Sequence, residues 1–334
     1  MAANVFKPEW DAERDEDPYR WRRALLGRQA GCERLGASLF ELPPGAATFP
    51  LHIHHRNEEL IVVLAGAPTL EALDAERRLE AGEVVACSAG RPGAHRIRNE
   101  SDGAARVMIL STMDAPEITE FPETGELWVR DYPPGGERPG AALDQRLSGE
   151  RAATERGAPP VRASVQPAGE PAANVFDPRF DQGEAGKGGR ARLGRQAGAE
   201  RLGLSLYELP PGFRRTAYHF HFANEELLIA LSGRSRLRAP AGWRELQAGD
   251  VVAFPRGERG AHRCINADAE PARYLVASEM NAPDVVVYPD SRKVLAISRA
   301  PGSRGDEDEL AHWFRIDDAV DYWEGEPGPV EGPA

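Results

Sequence analysis

Residues 51–66 read LHIHHRNEELIVVLAG and residues 218–233 read YHFHFANEELLIALSG. In each, two histidines stand on alternate positions, a polar turn and a pair of glutamates follow, and an apolar run closes on glycine. The two stretches are one element written twice. GRQAGCERLGASLFELPPG, from Gly27, returns from Gly194 as GRQAGAERLGLSLYELPPG, and GEVVACSAGRPGAHRIRN, from Gly82, returns from Gly249 as GDVVAFPRGERGAHRCIN. The offset is constant: 219 − 52, 226 − 59 and 262 − 95 all equal 167. Roughly half of the aligned positions are identical, so one fold is used twice. The copies also open alike, with ANVFKP from Ala3 and ANVFDP from Ala173.

Within each copy the pattern is that of strands. LGLSLYEL, ELLIALSG, DVVAFP and RYLVASEM are short, apolar or alternating, and bounded by Gly, Pro, Asn or Asp. No long window carries a helical period. This predicts an all-β chain, a sandwich or barrel made twice. The expected domains are residues 1–132 and 173–300. Residues 133–172, rich in Pro and Gly, read as a linker over the surface with a short helical turn in its middle. In the tail, 301–334, the aromatics of DELAHWFRIDDAVDYWEG mark a segment that docks back on a domain.

Bulk properties narrow the function. The 334 residues suffice for two cores, and 41 Lys+Arg against 53 Asp+Glu give a net charge of -12. That charge opposes nucleic acid and anionic membranes as partners. No apolar run reaches the roughly 18 residues of a membrane span, and the acidic start is unlike a secretory signal. A cytoplasmic protein with a small-molecule ligand or substrate is expected. The internal duplication resembles a dimer in one chain, and further homo-oligomerisation stays open. The cysteines, Cys32, Cys87 and Cys264, have no C-x-x-C spacing and read as small buried hydrophobes.

Seven of the eight histidines fall in the repeated motifs, and only His312 lies outside. Residues i and i+2 of a strand share a face, so His52 with His54, and His219 with His221, each present two imidazoles to one side. Glu59 or Glu226 opens the next strand, and His95 or His262 follows about a hairpin later. Three imidazoles and a carboxylate from three strands make a mixed N/O site for a first-row divalent cation. A lone histidine is more often a satisfied polar residue than a ligand. Here the copies differ freely elsewhere (Cys32 against Ala199, Cys87 against Phe254, His55 against Phe222), yet both keep the whole set. Alternation sends Glu58 and Glu225 to the opposite face, where they are expected as turn residues facing solvent. Arg96, Arg98 and Arg263 flank the third histidine, and alternation points Arg96 and Arg263 away from the site, where they are expected as surface charges.

These residues carry a family resemblance. Gly45, His52-x-His54, Glu59 and Gly66, then Gly82, Gly90, His95 and Asn99, resemble the two signature motifs of the cupin superfamily, and the second copy repeats them with Gly212, His219, His221, Glu226, Gly233, Gly249, Pro255, Gly257, His262 and Asn266. The resemblance implies two tandem double-stranded β-helix barrels, a bicupin, with a metal inside each. The implied ligands are His52, His54, Glu59 and His95, and His219, His221, Glu226 and His262. YWEGE and VVVYPDSRKV are similar to bacterial cupins of unassigned activity. Two features depart from the family pattern. Four residues, RPGA or ERGA, separate glycine from the third histidine, and Ser88 stands where the second copy has Pro255, which makes the first site the weaker one in expectation. A glutamate ligand favours Mn or Fe over Zn or Ni. The expected function is a metal-dependent enzyme on a small organic molecule, an oxidoreductase, lyase or isomerase, with dioxygenase, decarboxylase and isomerase chemistry all open. The alternative is a noncatalytic sugar or organic-acid binder with an anchoring metal.

Overall fold

The computed structural model describes residues 3–133, 142–148, 173–214, 216–300 and 310–326. Its first half holds one large antiparallel sheet, ordered Ala12–Glu16, Tyr19–Ala24, Gly36–Leu42, Ala105–Ser111, Glu59–Ala65, Glu83–Cys87 and finally Ala173–Asn174. Facing it is a sheet of Asp144–Ser148, Glu126–Arg130, Glu117–Phe121 and Ile53–His54, and a third, small sheet joins Glu76–Arg78, Thr69–Glu71 and Arg96–Arg98. The second half repeats the plan. Arg190–Ala191, Leu202–Leu209, Ala272–Glu279, Glu226–Ser232 and Val251–Phe254 form the large sheet, and Phe220–His221, Asp284–Tyr288, Lys293–Ile297 and Ala311–Arg315 the facing one. The chain is all-β, two tandem double-stranded β-helix barrels.

The strand Glu59–Ala65 reads as an unbroken apolar run because both of its faces are buried. Ile61 and Val63 point into the barrel, among Phe40, Leu70, Val85, Ile97 and Val107. Leu60 and Val62 point outward, into a core shared with Leu204, Leu206, Leu227, Ile229, Leu275 and Ala277 of the other half. The large sheets therefore pack back to back, and each strand's even and odd positions serve different cores.

The ANVF openings exchange between halves. Val5 N–H donates to Gly249 O at 2.8 Å and Val251 N–H to Ala3 O at 2.9 Å, while Val175 N–H donates to Gly82 O at 2.8 Å and Ala173 pairs with Val84. The Asn in each motif holds the turn that follows: Asn4 Oδ1 accepts Phe6 N–H at 3.0 Å and Lys7 N–H at 2.8 Å, and Asn174 Oδ1 accepts Phe176 N–H at 2.7 Å and Asp177 N–H at 3.0 Å. Gly82 and Gly249 sit beneath these asparagines with φ of 88° and 95°, where a Cβ would overlap the amide.

The repeat also runs further than its sequence identity. Asp144–Ser148, within the expected linker, and Ala311–Arg315, within the expected tail, lie at the same offset (311 − 144 = 167), and each forms the edge of its facing sheet by pairing with Glu126–Arg130 or Lys293–Ile297. The helical turn expected in the middle of the linker lies outside the described residues.

Candidate metal centres

His52 and His95 form an isolated antiparallel bridge, exchanging backbone hydrogen bonds of 3.2 and 3.0 Å, and His219 and His262 do the same at 3.1 and 2.9 Å. Directly opposed residues put their side chains on one face at close range. The ring centroids are 4.4 Å apart in the first pair and 4.7 Å in the second. Two residues along, His54 and His221 join from the same face, at 4.9 and 5.2 Å from His52 and His219.

Glu59 and Glu226 begin the neighbouring strand and turn inward. Glu59 places Oε2 at 3.0 Å from His95 Nε2 and Oε1 at 3.8 Å from His54 Nε2; Glu226 Oε2 lies 3.3 Å from His262 Nε2 and 3.8 Å from His221 Nε2. Ligand-type atoms of His52, His54 and Glu59 lie within 4.8 Å of one another, as do those of His219, His221 and Glu226. All eight side chains expected from the sequence thus converge, four per barrel. His55 does not join them; its Nε2 meets Glu120 Oε2 at 2.9 Å. His312 is exposed on the edge strand.

The second ring nitrogen fixes how each imidazole is presented. Nδ1 of His52, His95, His219 and His262 lies 2.9, 2.9, 2.9 and 3.0 Å from the backbone carbonyl two residues earlier, of Pro50, Gly93, Ala217 and Gly260. A carbonyl can only accept, so Nδ1 carries a proton and Nε2 is the nitrogen turned inward. For His54 and His221 the acceptors are carboxylates, Glu117 Oε1 at 3.2 Å and Asp284 Oδ2 at 2.6 Å. Asn57 donates to Glu117, and Asn224 (3.0 Å) with the Ala223 N–H (2.9 Å) to Asp284. The sequence analysis does not single out this supporting layer, although 284 − 117 and 224 − 57 also equal 167.

Burial sets the electrostatics. It pushes the Glu59 carboxyl up, but His54, His95 and His52 outweigh it and leave the group at about 2. Glu226 is likewise held low against its burial by His221, His262 and His219. Burial and His262 bring His219 down to about 3, and burial with His95 and His54 puts His52 well below the usual imidazole range. Burial also disfavours charge on His95 and His221, yet Cys87 and Glu59 beside the first, and Glu226 and Asp284 beside the second, raise both above that range. Each cluster holds an ionised carboxylate that draws positive charge to it. Glu226 Oε2 is buried with no hydrogen-bond partner, an atom whose desolvation a bound cation would offset. Inward Nε2 atoms, a hard carboxylate and this orphaned oxygen fit a divalent metal ion, which would take the place of the protons drawn there.

Glu58 and Glu225 do not face solvent as expected. Each is 1% exposed. Glu58 accepts the backbone N–H groups of Glu200, Arg201 and Leu202 at 3.0, 2.7 and 2.7 Å, and Glu225 those of Glu33, Arg34 and Leu35 at 2.8, 2.8 and 2.7 Å. Alternation placed them opposite the site correctly, but that face is the interface between the halves. Arg96 and Arg98 are ion-paired to Glu71 at 2.7 and 3.1 Å. Cys87 and Cys264 are buried and Cys32 half-buried. The loops to the third histidine are alike despite Ser88 and Pro255: both make a short 3-10 turn, with Gly90 N–H on His54 O at 2.7 Å and Gly257 N–H on His221 O at 2.8 Å.

The chambers above the clusters differ. The first has a volume of about 470 Å³ and the second about 190 Å³. Beside the second cluster, the Tyr288 ring stacks on His219 (5.8 Å, 16°) and the edge strand's Trp313 packs on Tyr288 at 4.9 Å. Phe254 lies flat on His262 at 3.8 Å, where the first barrel has Cys87.

Paired barrels with buried His/His/Glu groups define a class, the β-barrel proteins with a candidate metal centre in each barrel. Residues 38–111 and 205–278 each match the cupin domain family, so the chain carries two cupin domains. Among solved structures, a deletion variant of Bacillus subtilis oxalate decarboxylase superposes with a TM-score of 0.51 at 18% identity, over 84% of this chain and 76% of that one. The same enzyme studied for its Mn(II) centres gives 0.51 at 17%, over 85% and 78%. A sugar phosphate isomerase of the cupin superfamily from Silicibacter pomeroyi gives 0.33 at 25%, over 37% and 83%. No curated protein matches the sequence. No helix among the described residues is long and apolar enough to cross a membrane.

Proposed function

We propose that the protein is a metal-dependent enzyme acting on a small organic molecule in the first barrel. His52, His54, Glu59 and His95 would hold one divalent ion, and His219, His221, Glu226 and His262 another. The observation that carries this is the tautomer pattern: six Nδ1 atoms face oxygen acceptors, so six Nε2 atoms are left to converge on two buried carboxylates. Four protein ligands leave open positions on an ion that prefers six, and such an ion supplies Lewis-acid or redox chemistry to a ligand bound there. Glutamate oxygen favours Mn or Fe over Zn or Ni.

The chain's own residues supply orientation and exclusion. Glu117 holds the His54 proton at Nδ1 and so keeps Nε2 turned inward. Phe40, Phe49, Phe121, Ile109 and Trp128 line the first chamber and limit water within it. Dioxygenase, decarboxylase and isomerase chemistry all suit this arrangement. A noncatalytic role suits the second barrel better, because its chamber, about 190 Å³ against about 470 Å³, is the smaller. Elemental analysis of protein purified without a metal-affinity tag, alongside H54A and H221A, tests the reading. Close to two ions per chain, falling by one in each variant, is expected; an unaltered chain without stoichiometric transition metal would sink it.

A further inference from the structure

Most arginines of the first half are ion-paired: Arg14 with Glu16, Arg20 with Asp17, Arg77 with Glu83, Arg91 with Glu120, and Arg106 with Glu41. Three that line the first chamber, Arg23, Arg130 and Arg146, have no carboxylate within the 4.0 Å reach of a salt bridge among the described residues. Carboxylates act on them only from further off, Glu59 and Asp11 on Arg23 and Glu117 and Asp144 on Arg130. On a chain of net charge -12, three cations with no direct carboxylate partner around one cavity leave room for an anionic ligand to complete them.

They approach from both sides. Arg23, on the large sheet, donates Nη2 and Nε to Ser38 Oγ at 2.9 and 3.2 Å and lies over Phe40 at 5.2 Å. Arg130, on the facing sheet, is 4% exposed, donates to Thr119 Oγ1 at 3.0 Å and covers Trp128 at 3.9 Å, and its Nε is buried without a partner. Arg146 comes from the edge strand Asp144–Ser148 and lies over Trp128 at 4.9 Å and Phe121 at 5.7 Å. Three carboxylates share the lining, but Glu59 lies among the histidines, 3.0 Å from His95 Nε2, Glu123 is paired with Arg96 at 3.1 Å, and Glu126 accepts from the Thr124 hydroxyl at 3.4 Å. The second barrel keeps only the first of the three, as Arg190 on Ser205 at 3.1 Å; Ile297 and Trp313 stand at the positions of Arg130 and Arg146.

We infer that the first chamber takes an organic dianion, a dicarboxylate on a flat, largely apolar skeleton, with one acidic group at Arg23 and the other at Arg130 and Arg146. The skeleton lies against Phe40, Phe121 and Trp128. This rests on the proposed function for the choice of chamber, and its test does not depend on turnover.

The experiment is calorimetric titration of the full chain, metal-loaded and chelator-treated, with isophthalate, benzoate and dimethyl isophthalate. Isophthalate is expected to bind at least tenfold more tightly than benzoate, and the neutral diester not to bind. R23M and R146M should each weaken isophthalate at least tenfold, and R78M, which removes an exposed arginine elsewhere, should leave it unchanged. Arg146 is exposed, so its loss does not threaten folding. Isophthalate affinity unchanged from the unaltered chain in R23M or R146M, tight binding of the diester, or no isophthalate binding at all would overturn the inference. Arginine-dependent binding in a chain that holds no stoichiometric metal would refute the proposed function and leave this inference standing.

Discussion

Glu58 lies one residue from the candidate metal ligand Glu59, yet its carboxylate is in the other half of the molecule, accepting the Leu202 N–H at 2.7 Å. Adjacent glutamates thus divide two tasks, one facing the chamber and one joining the barrels. The pseudo-symmetric Glu225, on Leu35 N–H at 2.7 Å, makes the same junction in reverse.

Because a glutamine at either position presents an amide NH2 to a nest of N–H donors, E58Q and E225Q are expected to destabilise the chain by about 1–3 kcal/mol each. Urea denaturation would report this as a lowered midpoint. Metal content should stay as in the unaltered chain, since both side chains face away from the clusters, and a fall in metal with unchanged stability would contradict the assignment.

Glu117 and Asp284 orient a histidine without reaching the metal position. E117Q and D284N should weaken metal retention in their own barrel by roughly 10–100-fold and leave the other barrel as it was. Competition with a graded chelator reads the two sites separately, and H54A or H221A serves as the full-loss reference. Equal weakening of both sites by one variant would argue for a global fold defect instead.

Metal binding to the folded state alone stabilises it by mass action, by about 2.7 kcal/mol when free metal is 100 times its dissociation constant. Chelation should therefore lower the melting temperature of the unaltered chain, and re-addition restore it. In the double variant H54A/H221A the melting temperature should no longer respond to metal, as scanning calorimetry would show.

G82A and G249A place a Cβ where Asn174 and Asn4 seat their amides, at backbone angles that favour glycine. Each should release the exchanged segment of the opposite half at a cost of about 1 kcal/mol or more. Hydrogen exchange at Val175 in G82A, and at Val5 in G249A, would rise selectively, and uniform protection in both would refute the docking role.

Much of the site was legible because the chain contains its own comparison. A constant offset of 167 singled out His52, His54, Glu59 and His95 with their counterparts, and the period of two put them on one face. That Glu58 and Glu225 are buried was not legible, because alternation names a face without saying what covers it. The edge strands Asp144–Ser148 and Ala311–Arg315 were missed for a related reason. DQRLS and AHWFR share no pattern, and their place is set by pairing with a neighbouring strand.

The sequence alone determined the duplication, the all-β class and the set of inward-facing candidate ligands, since these follow from local alternation and internal repetition. Only tertiary structure decided the rest: which oxygen holds each Nδ1, which arginines meet around the first chamber, and that Tyr288 stacks on His219 with Trp313 against it. Those facts depend on contacts between strands far apart along the chain, and the back-to-back packing of the large sheets, which turns an outer face into a core, is carried by no single segment.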